Sequence, residues 1–341
     1  MSEKGRMKSK KRYIAKRLLL GVFVLFGITV LTFTISHMIP GDPARAYAGP
    51  FATGEEVEKV RHLLGLDRPV WEQYFLYIGN LLQGNLGDSI HSRRPVVEDL
   101  QQFLPATIEL AAVAFVLATT LGVAIGIISA VKRNSKTDQV IRFFSLFGVG
   151  MPAFWLALVL QFVFAFTLSW LPVSGQLSTR MNLQTITGVA TIDSIITGNF
   201  PALIDALGHL ILPALCLGLI QMSNIARMTR AEMLEVISQD YVKTARAKGL
   251  PNWMVILKHA LRNALIPTTT IIGLTLGDLL GGDVMIESVF QWPGIGKYIT
   301  DAIANADFPA VMGATIVICA VFILINLVVD ILYTVIDPRV K

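Results

Sequence analysis

The chain has 341 residues, of which 53% are hydrophobic and only 16% are charged. This balance is unlike that of an ordinary soluble domain and indicates an integral membrane protein. The formal net charge of +5 would also suit a nucleic-acid partner. We expect no such partner, because 21 of the 29 lysines and arginines fall in short polar segments that alternate with long apolar runs.

Six apolar runs are long enough, at about 1.5 Å of helix per residue, to cross a hydrocarbon core of about 30 Å. They are residues 18–39, 106–131, 143–170, 202–225, 264–286 and 309–336. The first run exceeds the apolar region of a signal peptide, so a retained helix is favoured over a cleaved signal. Pro152 is expected to kink the third span or to mark its cytoplasmic end.

The distribution of positive charge predicts the topology. With the N-terminus inside, 21 lysines and arginines lie in cytoplasmic segments and 8 lie outside, as the positive-inside rule requires. Both termini are therefore predicted to be cytoplasmic. The predicted units are a basic tail (1–17), the first helix (18–39), an extracytoplasmic segment (40–105), a five-helix core (106–336) that includes a cytoplasmic loop (226–262), and a second tail (337–341).

The extracytoplasmic segment carries two short helical patterns, over residues 55–64 and 70–82, separated by a turn with Gly65 and Pro69. The segment either closes the end of the bundle or takes part in ligand handling, and the sequence leaves both open.

The stretch from Asp240 to Pro267 is a polar island between apolar segments. Leu234, Ile237, Tyr241 and Ala245 recur at steps of three and four, which predicts one face of a helix. Gly249, after a turn with two cations, is a typical helix stop, and Pro251 prevents simple continuation. A second helix follows, whose predicted apolar face comprises Trp253, Ile256, Leu257, Ala260, Leu261 and Ala264. The sequence predicts a short helical elbow.

The strings TARAKG and HALRNALIP of this stretch resemble the dipeptide/oligopeptide/nickel branch of the ABC importer permeases. The general coupling-loop pattern of those permeases is Glu-Ala-Ala, three residues, Gly, nine residues, and Ile-x-Leu-Pro. Against that pattern Ala245, Gly249 and Leu261 agree, whereas positions 243, 244, 259 and 262 carry Lys, Thr, His and Arg. IPGDPA, HLLGLDRPVWEQY, GVGMPAFW and GGDVMIESVFQWPGIGKYITDAIANADFP are similar to the same branch, with GVGMPAFW pointing to its B-type subunit.

The resemblance implies the all-α fold of a type I ABC importer permease, with six transmembrane helices in a prokaryotic inner membrane. It also implies a second homologous permease subunit, two ATPase subunits that hold ATP and magnesium, and an extracytoplasmic binding protein. The cargo it implies is a peptide, with a nickel chelate, glutathione or an oligosaccharide as alternatives. The residues expected to couple the chain to the ATPase are Asp240, Tyr241, Lys243, Thr244, Ala245, Arg246, Ala247, Lys248, Gly249, Leu250, His259 and Leu261.

Other functions remain to be weighed. A basic amphipathic loop can also be solvated or rest on anionic lipid. A secondary transporter would show internal inverted repeats, and none is visible. Residues 294–298 lack the upstream glycine and the hydroxyl residue of a phosphate-binding loop, so we do not expect this chain to hydrolyse ATP. No cluster of His, Cys, Asp or Glu predicts a metal site or an enzyme.

Polar residues within the last two spans are candidates for a translocation pathway, because a charge inside a span is costly and tends to face water or a partner. The candidates are Asp278, Asp283, Glu287 and Asn326. Asp278 is the deepest of the carboxylates, whereas Asp283 and Glu287, nearer the outer end, can equally be solvated. Gly273, Gly277 and Gly281, spaced by four, predict a close helix contact, for which a subunit interface is one location.

Overall fold

The computed structural model describes residues 3–38, 42–49 and 51–336, with side chains described for residues 15–38, 42–49, 51–329 and 331. The predicted C-terminal tail, 337–341, lies outside this range. Within it the fold is all-α, as predicted, apart from an isolated β-bridge between Asp88 and Pro95. The helices are α1 (Glu3–Met38), α2 (Pro43–Ala48), α3 (Gly54–Leu63), α4 (Val70–Leu82), α5 (Val96–Val131), α6 (Lys136–Gly150), α7 (Ala153–Leu160), α8 (Ala190–Ile196), α9 (Phe200–Ile237), α10 (Asp240–Ala247), α11 (Asn252–Met254), α12 (Leu261–Leu280), α13 (Val284–Val289), α14 (Ile295–Ala304) and α15 (Phe308–Ile336).

Two π-helical turns, Gln161–Thr167 and Val255–Ala260, extend α7 and join α11 to α12. In the described part of the chain, five helical segments are long and apolar enough to cross a membrane: 15–38, 96–131, 200–237, 252–280 and 308–329. A sixth is formed by α6 and α7 together, bent by 109°. The bend falls at Met151 and Pro152, so the kink expected at Pro152 is confirmed. Proline causes this bend because it cannot donate the backbone hydrogen bond that would continue α6.

Contacts at the two ends of the bundle show that the bent pair crosses it. At one end, Asp138 at the start of α6 bonds Ser129 near the end of α5 and Arg230 in the last third of α9. At the other end, Glu109 in the first half of α5 accepts hydrogen bonds from Gln176 and Thr191, which follow α7. Within the described residues, the chain therefore passes six times between these ends. We call the first the elbow end, because α10 lies there, and the second the cap end.

Several predicted helix limits are corrected by the structure. The predicted basic tail is helical from Glu3 and continuous with the first span. α5 begins at Val96 rather than at residue 106, because Glu98 and Asp99 favour a helix start and Pro105 is tolerated one-third of the way along. α9 continues past residue 225 to Ile237. Apolar runs mark the length inside lipid, whereas backbone hydrogen bonding lets a helix extend beyond it.

Glycines allow the closest helix contacts, as their spacing predicts. A Cβ on Gly126 of α5 would lie 2.6 Å from Thr229 Cβ of α9, so no larger residue fits. Gly273 and Gly277 of α12 pack in the same way against Val329 and Phe322 of α15. The contact predicted for this stripe is therefore made within the chain at these two glycines, rather than across a subunit interface.

The cap end includes the short helices α3, α4, α13 and α14. The predicted helices over 55–64 and 70–82 are confirmed as α3 and α4 within one residue. Trp292 is fully buried, and its indole N–H donates to the Ala106 carbonyl at 2.8 Å. This bond ties the turn between α13 and α14 to the first third of α5, and the tryptophan thereby fixes the cap on the spans.

Candidate functional site

The predicted elbow is present, but its first arm is a separate helix. α9 ends at Ile237, Gln239 has an extended backbone, and α10 begins at Asp240. The prediction of one continuous helical face from Leu234 to Ala245 is therefore wrong. The break follows from local chemistry, since the Ser238 hydroxyl donates to the Glu235 carbonyl at 2.7 Å and competes with the next helical turn.

Two buried residues hold α10 in place. Val242 is fully buried and Ala245 is nearly so, and both pack against Val255 in the second arm of the elbow. Val236 at the end of α9 and Leu250 border the same cluster. The elbow is therefore attached to α9 on one side and to the beginning of the α12 span on the other.

The turn between the two arms depends on Gly249. Its φ of +76° lies in the left-handed region, and its N–H donates to the Arg246 carbonyl at 2.9 Å. A Cβ at this position would meet nothing within 4 Å, so backbone conformation alone requires the glycine. Gly249 ends α10 as predicted, and Pro251 precedes the second arm.

Most of the residues predicted to couple the chain to an ATPase lie on the surface of the elbow. The exposed members are Asp240, Tyr241, Lys243, Thr244, Arg246, Ala247, Lys248 and Gly249. Leu250, His259 and Leu261 are half-buried, and Ala245 faces inward. Asp240 and Lys243 form an exposed ion pair at 2.9 Å, and the hydrogen bond from Lys243 holds the pKa of Asp240 below its usual range. Trp253 and Leu257, predicted on a buried face, are more than half exposed.

A cavity of about 330 Å³ lies between α9 and α12. Asp278, the deepest predicted pathway carboxylate, lines it together with Arg227 and residues of both helices. The remaining lining residues are Gln221, Asn224, Met228, Ala231, Ile271, Leu274 and Thr275. Sequence reasoning placed Arg227 in a cytoplasmic loop and gave no role to Gln221 or Asn224. Gln221, Asn224 and Arg227 follow one another at steps of three residues, and this spacing alone could have predicted that they share one face of a helix.

The other three pathway candidates lie outside this cavity. Asn326 of α15 packs beside Gly277, with its Oδ1 3.5 Å from the position of a Cβ there. Asp283 caps α13 by accepting the Ile286 N–H at 3.0 Å. Glu287 is fully buried, so the expectation that it could be solvated is wrong. A pathway role for these residues stays a prediction.

Glu287 organises the cap end. Its carboxylate accepts hydrogen bonds from the Thr107 hydroxyl at 2.9 Å and from the Lys297 N–H at 3.0 Å. Gly294 and Gly296 let the backbone wrap around it, because a Cβ at either would collide with the carboxylate. Burial raises the pKa of Glu287 to about 7. The residue joins α5, α13 and the start of α14.

These features define a class of protein: a helical membrane protein with six crossings and a helical elbow that connects two of them. Residues 122–341 match the family described as "Binding-protein-dependent transport system inner membrane component", and residues 10–111 match its N-terminal companion, "Binding-prot-dependent transport system membrane comp, N-term". The chain belongs to this family, the permease subunits of ABC importers, as its motifs predicted.

Two relatives match almost the whole chain. It is 46% identical over 329 residues to the dipeptide transport system permease protein DppB of Alkalihalophilus pseudofirmus, covering 96% of this chain and 99% of that protein. It is 48% identical over 320 residues to the probable D,D-dipeptide transport system permease protein DdpB of Escherichia coli, covering 94% of each.

Among solved structures, the fold is similar to a chain of the inward-facing MetNI methionine ABC transporter, with a TM-score of 0.53. The match covers 70% of this chain and 96% of that chain at 16% identity, so it concerns the fold alone. The predicted permease fold is confirmed.

Proposed function

We propose that this chain is one of two permease subunits of an ATP-driven importer that carries short peptides. In the proposed complex, a second homologous permease completes the pathway, and two ATPase subunits bind ATP and magnesium and dock on the elbow. A binding protein delivers the cargo at the cap end. The elbow end would face the cytoplasm, with both termini there. The names of the two dipeptide permeases above support a peptide as cargo.

The observation that carries this proposal is the attachment of the elbow. α10 packs on the second arm through Val242, Ala245 and Val255, and that arm continues directly into α12. The other end of α10 leads back to α9 across two residues. A force applied to α10 therefore reaches α9 and α12 together, and these two helices line the cavity. Movement of the elbow would change the width of that cavity.

The outer surface of the elbow suits a protein partner. Trp253 is 62% exposed and Leu257 is 52% exposed, on the same elbow as the exposed cations Arg246 and Lys248. Exposed aromatic residues beside charged ones are typical of contact surfaces between proteins. A loop that merely rested in water would gain nothing from exposing Trp253.

The test is purification of the tagged chain from its native host in mild detergent, followed by identification of partners and an ATPase assay. We expect recovery of an ATPase and a second permease, and ATP-dependent uptake of dipeptides by the reconstituted complex. Uptake of a nickel chelate, glutathione or an oligosaccharide in place of dipeptides would overturn the proposed cargo. Recovery of the chain alone, without ATPase activity, would point to a secondary carrier.

A matched pair of variants locates the docking surface. Trp253→Ala should reduce the recovered ATPase several-fold, because it removes an exposed anchor of the elbow. Trp71 of α4 has the same exposed fraction, 62%, but lies at the cap end. Trp71→Ala should leave the recovery unchanged, and equal losses for both variants would count against docking at the elbow.

A further inference from the structure

We propose that the cavity between α9 and α12 binds the charged termini of a short peptide, with Arg227 holding its carboxylate and Asp278 its ammonium group. The inference rests on the proposed function and deepens it. It starts from two opposite charges in one cavity that do not neutralise each other.

Neither charge has an ion-pair partner among the described side chains. Both Asp278 and Arg227 are exposed, and Arg227 donates to the amide oxygen of Asn224 at 3.1 Å. Three residues further along α9, Arg230 contrasts with this arrangement, since it binds Asp138 through two hydrogen bonds. A carboxylate and a guanidinium left unpaired on membrane-spanning helices are costly unless a ligand or water meets them.

The spacing of the two charges fits a small peptide. The chain reverses at the elbow, so Gln221 and Asp278 form the end of the lining farthest from the elbow. Arg227 lies six residues nearer the elbow than Gln221, which is about 9 Å along a helix. An extended chain covers about 3.3–3.6 Å per residue, so two or three residues span roughly 7–10 Å.

The chemistry of the lining also fits. A guanidinium binds a carboxylate through two parallel hydrogen bonds, and a carboxylate accepts from an ammonium group. Asn224 and Gln221 carry both donors and acceptors, which a peptide bond between the termini requires. Met228, Ile271 and Leu274 supply apolar walls for side chains of varied size. The volume of about 330 Å³ lies at the lower end of the range for small-ligand sites.

The test measures binding to the whole transporter complex in detergent, without its binding protein. Ligand binding to the native state raises the thermal unfolding midpoint. The probes are Ala-Ala, N-acetyl-Ala-Ala, which lacks the ammonium group, and Ala-Ala-amide, which lacks the carboxylate. We expect Ala-Ala at millimolar concentration to raise the midpoint of the native complex, and each capped form to raise it less.

The variants assign each terminus to a residue. Asp278→Asn should weaken Ala-Ala binding by about tenfold or more and remove the discrimination against N-acetylation. Arg227→Gln should also weaken Ala-Ala binding by about tenfold or more, and it should remove the discrimination against amidation. Asp301→Asn and Arg180→Gln, which alter exposed charges away from the cavity, serve as controls and should behave like the native complex.

Three outcomes would overturn the inference. They are no shift of the unfolding midpoint with Ala-Ala, equal shifts with all three probes, or variants in which binding of all three probes is weakened equally. In each case dipeptide uptake by the native complex would still show whether the proposed function holds. If the two charges instead pair with each other in another state, the exchanged variant Arg227→Asp with Asp278→Arg should restore uptake, and this too would contradict peptide binding by the pair.

Discussion

Arg227 and Arg230 lie on the same helix, three residues apart, and meet opposite surroundings. Arg230 reaches Asp138, whose side chain is fully buried, with Nε 2.8 Å from Oδ1 and Nη2 2.9 Å from Oδ2. Ser129 and the N–H of Asn134 bind the same carboxylate. Arg227 is exposed at the cavity. The first arginine therefore neutralises a buried charge, whereas the second remains available to a ligand.

Arg230→Gln should lower the free energy of unfolding by up to about 3–5 kcal/mol, because it removes the two hydrogen-bonded contacts to the buried Asp138 carboxylate and leaves only the more distant Arg142, whose Nε lies 3.7 Å from Oδ2. Arg227→Gln is the matched control and should cost less than about 0.5 kcal/mol, as expected for an exposed side chain. The measurement is unfolding of each variant in the same detergent.

A second substitution separates charge from packing at this site. Adding Asp138→Asn to Arg230→Gln removes the buried charge itself and should recover much of the lost stability. If the double variant is no more stable than Arg230→Gln alone, the loss has come from the packing of the arginine stem and not from its charge.

At the scale of elements, the elbow depends on one backbone conformation. Gly249 has a φ of +76° and open space where a Cβ would lie. Gly249→Ala should therefore cost only about 1–2 kcal/mol of backbone strain. Gly249→Pro would also fix φ near −65° and remove the hydrogen bond to Arg246, so the turn could not form.

We therefore expect Gly249→Pro to insert normally in the membrane and to lose ATP-driven uptake, with Gly249→Ala intermediate. The assay compares ATP hydrolysis with uptake in the reconstituted complex. Gly198→Ala is the control, because Gly198 also has a positive φ, +67°, and open space around it, but lies outside the elbow. Failure of Gly249→Pro to insert, or normal uptake by it, would contradict a coupling role.

At the scale of the whole molecule, charge and connectivity support the same orientation. Six crossings place the first residues of α1 and the end of α15 at the elbow end. Among the described residues, the segments at that end carry 19 of the 29 lysines and arginines of the chain. Because positive segments are retained in the cytoplasm, we expect the elbow end to be inside.

Single cysteines test this orientation after both native ones, Cys216 and Cys319, are replaced. Glu55→Cys on α3 should react with a membrane-impermeant maleimide in intact cells, because Glu55 is exposed at the cap end. Lys136→Cys at the start of α6 should react only after permeabilisation. Labelling of both positions in intact cells would mean that α5, the helix between them, does not cross the membrane.

Particular residues show how far the sequence could predict the site. Gly249 and Pro251 fixed the turn of the elbow, because both residues act through the local backbone. Ala245 was correctly placed on its inner face, but Tyr241 was not, since the break after Ile237 rotates α10 relative to α9. Glu287 was expected near water because its neighbours in sequence end a span, and the groups that bury it come from α5 and α14.

The sequence by itself determined the class of protein, the apolar spans, the distribution of charge and the family. These are properties of local composition, spacing and motif, which act over a few turns of helix. Only the tertiary structure decided that Arg227 and Asp278 share a cavity, that Arg230 neutralises Asp138, and that Trp292 and Glu287 are buried. Each of these facts depends on helices far apart in the chain, and burial and charge pairing are set by which helices meet.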